Sequence, residues 1–151
     1  ARANSHWQLL EDADDLKVCF SGANAYISPN WYADKGNVPT WNFTSVQVSG
    51  KATLLDDKAL LNLLIKLSEF HESQFELPWT IEKMESKKLS AMLKAIVGFK
   101  ISIDSIEGKA KLSQNKSSAE VSNLINGLEI QLDSNSSQVA QWMKKNNQNK
   151  Q

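Results

Sequence analysis

A chain of 151 residues, 41% hydrophobic and 23% charged, is the size of one globular domain and can bury a core without metal or disulfide staples. Its 17 basic and 17 acidic residues cancel, so the charge balance carries no footprint for naked nucleic acid. The single Cys19 excludes an intramolecular disulfide framework and a cysteine-rich zinc site, and no apolar run approaches the roughly 20 residues a bilayer span needs. The opening ARANSHWQ lacks the basic-then-apolar pattern of a secretory leader, and a reducing cytoplasm is the expected location. The sequons at Asn42, Asn115 and Asn135 are then chance matches.

In chain order, Leu16–Phe20 reads as a short strand bounded by Ser21-Gly22, with Cys19 a buried, inert thiol inside it. Ala25–Ser28 continues extended, and Pro29 breaks it. A loop with Trp31 and Tyr32 follows, then an alternating strand from Trp41 to Val48 that ends at Gly50. Asp56 or Asp57 caps a helix with Leu60, Leu61, Leu64 and Leu67 on its apolar face. A second helix is expected over about 82–94. A strand through Val97, Phe99, Ile101 and Ile103 comes next, then a turn or bulge at Ile106-Glu107-Gly108 and a short strand over Lys109–Ser113. Ser117 and Glu120 have capping-box spacing ahead of Val121, Leu124, Ile125 and Leu128. A last short helix holds Val139, Trp142 and Met143, and the polar tail from Lys144 is expected to fray. Strands first, then helices alternating with a second strand group, make this an α+β chain with an antiparallel sheet or barrel.

Enzyme signatures are sparse. His6 and His71 lack partners at metal-ligand spacing, and there is no nucleophile elbow, P-loop or dinucleotide fingerprint. His71 suits the last turn of a helix, where a positive charge favours the dipole. Two clusters stand out. Tyr26, Trp31, Tyr32 and Trp41 lie among Ser28, Asn30, Thr40 and Asn42, either as core packing or as an apolar wall for a planar ligand. Lys109, Lys111 and Ser113, followed by Gln114, Asn115 and Lys116, would put ammonium groups and a hydroxyl on one strand face. That face could hold a phosphate, or it could be a lysine-protected sheet edge.

Four blocks in order carry a resemblance: Ala1-Arg2-Ala3-Asn4, FSGANAYISPNWY over 20–32, VPTWNF over 38–43, and AIVGFKISIDSIEGKAKLSQNK over 95–116. Together they resemble the PaiB family, which is similar to the flavin-binding split barrels typified by pyridoxamine 5′-phosphate oxidase. The resemblance implies an α+β split β-barrel, six-stranded and Greek-key, with flanking helices, a homodimer, and FMN at the subunit interface. It also implies a negative regulator of transcription. The family domain is expected over residues 1–134, with a C-terminal helix and polar tail over 135–151.

Carried over by position, the resemblance implies that Arg2 and Asn4 meet the flavin phosphate. It implies that Trp41, Asn42 and Thr44 meet the ring, and that Lys109, Lys111 and Gln114 line the ligand from the last barrel strand. The chain departs from the family pattern at Ser5, usually Pro, at Asn24, usually His, and at Asn30, usually Ser. Family members also carry further strands ahead of the Ala-Arg-Ala-Asn block, so the chain is expected to be an N-terminally incomplete record. Direct DNA binding is not expected, since no helix-turn-helix is visible. Two alternatives stay open: a flavin-dependent oxidoreductase or haem-handling relative on the same fold, and a dimeric binding module without cofactor.

Overall fold

The computed structural model describes residues 1–12 and 15–148. Its strands are β1 (Leu16–Ile27), β2 (Thr40–Leu54) and β3 (Phe99–Lys111). Its α-helices are α1 (Leu9–Asp12), α2 (Asp57–Glu72), α3 (Ser86–Lys94), α4 (Ser118–Glu129) and α5 (Ser134–Gln148), with short 3-10 turns at Ser5–Gln8, Pro29–Trp31 and Ile81–Lys83. The strands form one antiparallel sheet in the order β1-β2-β3, which makes the chain α+β. Two compact units divide it. One comprises Ala1–Lys17 and Ser49–Ser105, the other Val18–Val48 and Ile106–Gln151.

The second unit holds the main core. Ala23, Ala25 and Ile27 alternate onto one face of β1 and are buried. Val121, Leu124, Ile125 and Leu128 of α4 recur at helical spacing and pack with Val139, Ala140 and Met143 of α5. Each fully buried Leu, Ile or Met stabilises by roughly 1.5–3 kcal/mol. Ser117 caps α4 by accepting from Glu120 N–H at 3.3 Å. The Glu120 carboxylate does not close a capping box. It accepts instead from the backbone N–H groups of Ala33 and Asp34, at 3.1 and 3.2 Å.

In the first unit, Asp56 caps α2 by accepting from Ala59 N–H at 2.7 Å. His71 lies in the last turn of α2, as its position along the chain implied. Leu60 is buried, and Gly98 leaves the space its side chain occupies: a Cβ there would meet Leu60 and Leu55.

Four expectations are corrected. The strands are longer than their glycines suggested: β1 runs through Gly22, β2 through Gly50 and β3 through Gly108. Gly22 and Gly50 are places of close approach, since a Cβ at Gly22 would strike Thr44 and one at Gly50 would strike the Ser102 backbone. The helix expected over 82–94 is split into the turn at Ile81–Lys83 and α3. The Glu82 carboxylate takes hydrogen bonds from its own backbone and from the Thr80 hydroxyl, a local pairing that competes with helix. Cys19 is exposed: it lies in the first half of β1, ahead of Ala23, where the buried stretch of the strand begins. The polar tail is helical to Gln148, and the rest of it lies outside the described residues.

Candidate functional site

The end of β3 and the loop after it build a small polar cradle. Lys111, the last residue of β3, reaches across to β2, where its Nζ donates to the Trp41 carbonyl at 2.8 Å and to the Thr40 hydroxyl. The chain then turns sharply. Ser113 takes a left-handed backbone with φ of 58°, a conformation that costs most residues about 1–2 kcal/mol. Its hydroxyl is buried against Asn42, which explains why the strain persists. Gln114 folds back, accepting from Leu112 N–H at 2.7 Å and donating to the Ala110 carbonyl at 2.6 Å. Lys116 lies 5.2 Å above the Tyr32 ring and donates to Asn37 Oδ1.

The hollow enclosed is about 210 Å³ and is lined by Tyr32, Asn37, Val38, Thr40, Lys111, Ser113, Gln114, Asn115 and Lys116. Among the described residues no carboxylate lines it and neither lysine is ion-paired. Two ammonium groups with hydroxyl and amide donors are the donor set of a phosphate site. The loop supplying Asn37 and Val38 is held by the Glu120 carboxylate through Ala33 and Asp34.

A larger hollow of about 550 Å³ opens beside β1. It is lined by Asn24, Ala25, Tyr26, Ser28, Trp31 and Trp41, together with Gln131, Asp133, Asn135 and Ser136 from the α4–α5 turn. Tyr26 and Trp41 meet edge to face, with ring centroids 5.9 Å apart. Asp133 Oδ1 accepts from Ser136 N–H at 2.9 Å. The Ser136 hydroxyl, then the Ser136 backbone, hold the Asp133 carboxyl below the usual carboxylate range.

The residues singled out in the sequence are distributed over these features. Lys111 and Gln114 line the cradle. Trp41 lines the larger hollow. Asn42 is fully buried, donating to Ser113 Oγ at 3.0 Å and lying 3.4 Å from Met143 Sδ, so its amide serves the core. Thr44 packs where Gly22 leaves room on β1. Lys109 Nζ is 5.9 Å from the Phe43 ring. Ser113 is not on the strand face with Lys109 and Lys111, because β3 ends at Lys111.

Arg2 and Asn4 belong to the other unit. Arg2 N–H and Nε donate to the Ala95 and Lys94 carbonyls at 2.8 and 3.2 Å, and its guanidinium lies 5.3 Å over Trp7. Asn4 caps the 3-10 turn, accepting from His6 N–H at 3.0 Å. Sequence reasoning gave no role to Gln131, Asp133, Asn135 or Ser136. The Asp133-to-Ser136 cap spacing marked a helix start but carried no sign of a pocket. Among the described residues, no group of three or more His, Cys, Asp and Glu comes together as a metal site. No described helix is long and apolar enough to cross a membrane.

Comparison with known proteins adds a family. The family described as "Putative FMN-binding domain" matches residues 1–105. The chain is 38% identical over 143 residues to the protease synthase and sporulation protein PAI 2 of Bacillus subtilis, covering 95% of this chain and 69% of that protein. It is 28% identical over 136 residues to an uncharacterized protein of Emericella nidulans, covering 80% of this chain and 54% of that one. A Saccharomyces cerevisiae protein, also uncharacterized, is 38% identical over 80 residues, which is 49% of this chain and 47% of the yeast protein. The chain thus spans about half the length of these fungal relatives.

Proposed function

The chain belongs to the PaiB-type FMN-binding family, and from that premise we propose that it binds flavin mononucleotide with the phosphate in the Lys111–Lys116 cradle. The observation that carries this reading is the cradle's charge. Among the described residues, two lysines without ion-pair partners face a hollow that holds hydroxyl and amide donors and no carboxylate. Flavin, once bound, supplies the redox chemistry, and the protein supplies binding and electrostatics. Lys111 and Lys116 bring positive charge to a phosphate, and the Thr40 hydroxyl can donate a hydrogen bond to its oxygens.

The family resemblance extends the proposal to the whole protein. On it, the sheet is part of a split β-barrel, the protein is a cytoplasmic homodimer, and Arg2, Asn4 and Thr44 add contacts to the flavin. A role in restraining transcription follows the same resemblance. The net charge of zero favours an effect exerted through a partner protein over direct contact with DNA.

The test is a pair of equilibrium titrations, with FMN and with riboflavin. The cradle requires FMN to bind at least about tenfold more tightly, since a charge-assisted hydrogen bond contributes roughly 1.5–3 kcal/mol. The FMN affinity must also weaken as salt rises. Equal affinities for the two flavins would remove the phosphate assignment.

A further inference from the structure

The larger hollow beside β1 has chemistry unlike the cradle's. Among the described residues it contains no lysine, arginine or histidine. Its walls are three aromatic side chains, and two of them, Trp41 and Tyr26, are about half exposed, which leaves ring surface free for a ligand. Around them stand the amides of Asn24, Gln131 and Asn135, the hydroxyls of Ser28 and Ser136, and the Asp133 carboxylate. Amides and hydroxyls both donate and accept, while an ionised carboxylate only accepts.

An anion is disfavoured here, because the one formal charge in the lining is negative. A compact cation is disfavoured too. Asp133 already spends an oxygen on Ser136 N–H, and the first turn of α5 turns its positive end toward the same place. What remains is a neutral ligand with an apolar face to lie on indole and phenol rings, and an edge of hydroxyls to exchange hydrogen bonds with amides and carboxylate. A volume of about 550 Å³ is within the range of small-molecule sites.

We propose that this hollow is a second binding site, for an uncharged polyhydroxylated ring: a sugar, free or as the ribose of a nucleoside. Trp41 and Tyr26 form the platform, and Asn24 and Asn135 read the hydroxyls. Four of the ten lining residues, Gln131, Asp133, Asn135 and Ser136, lie beyond the residues matched by the FMN-binding family. The hollow shares no lining residue with the cradle, so the proposal does not rest on the phosphate assignment.

Saturation-transfer difference NMR on the full chain tests it, with ribose, glucose, galactose, mannose, adenosine, choline and methyl phosphate as probes. Saturation of at least one sugar or of adenosine is expected, with the signal reduced at least fivefold in Trp41→Ala and in Asn24→Ala. Both side chains are exposed on strands, so the fold survives their truncation; an unchanged circular dichroism spectrum verifies this. Signal from sugars but not adenosine assigns a free sugar, and the reverse pattern a nucleoside; either supports the proposal. Choline or methyl phosphate saturating in place of the sugars overturns it. So does the absence of signal from every sugar and from adenosine, or a signal that both variants retain.

Discussion

At the residue scale, side chains that look alike in sequence divide into core and site. Asn42 follows Trp41 directly, yet the alternation of β2 sends the two amphipathic side chains to opposite faces. Asn42 is fully buried with Ser113 and Met143. Replacing it with Ala strands the Ser113 hydroxyl without its amide partner. A loss of about 1–3 kcal/mol is expected in urea unfolding, and a loss below a few tenths would contradict the packing described.

Asp133 offers a second check at this scale. Its folded-state pKa is depressed by Ser136, so its contribution to stability is present above the ordinary carboxylate pKa. That contribution is lost as pH falls through the lowered value. Ser136→Ala should raise the Asp133 pKa toward its ordinary value in a carbon-13 NMR titration. An unmoved titration would show that the hydroxyl is not the cause.

At the element scale, glycine is the residue the sequence renders most ambiguously. Gly22, Gly50 and Gly108 read as breakers, and each lies inside a strand. What distinguishes a turn from a close approach is the neighbouring strand, and that neighbour is distant in sequence. Gly127 makes the point on a helix: a Cβ there would fall within the Trp31 indole. Gly127→Ala is expected to destabilise by about 1–3 kcal/mol by overpacking, despite the better helix propensity of Ala, and to shift the Trp31 fluorescence. A gain in stability would show that the indole moves aside freely.

The face of α4, by contrast, was legible, whereas on α2 the expected stripe buries Leu60 and leaves Leu67 half exposed. The spacing of Val121, Leu124, Ile125 and Leu128 located α4 and its buried stripe, because both periodicity and burial are local properties. The Ser117 cap was legible for the same reason. The far end of the Glu120 carboxylate was not, because its partners are more than 80 residues away in sequence. Glu120→Ala should loosen the 33–38 loop, seen as faster amide exchange at Ala33 and Asp34. Unchanged exchange would mean the loop is held by other contacts.

For the whole molecule, the two clusters noted in the sequence are divided between two hollows, with Tyr32 and Thr40 of the aromatic cluster lining the lysine cradle and Asn42 buried in the core. Lys111, Gln114, Asn115 and Lys116 are nearly contiguous, so their convergence needed only one sharp turn at Ser113. Tyr26, Trp31 and Trp41 converge as well, but the opposite wall of their hollow comes from residues about a hundred positions further on. The two cradle lysines act together, since each brings a unit charge to one small volume.

The most direct measurement is FMN retention through gel filtration, read from the flavin absorbance bands, for the full chain and for Lys111→Ala/Lys116→Ala. The account predicts that the unaltered protein elutes with flavin and that the double variant elutes folded, at the same volume and colourless. A double variant that keeps its flavin would contradict the cradle, and so would an unaltered protein that never takes flavin up.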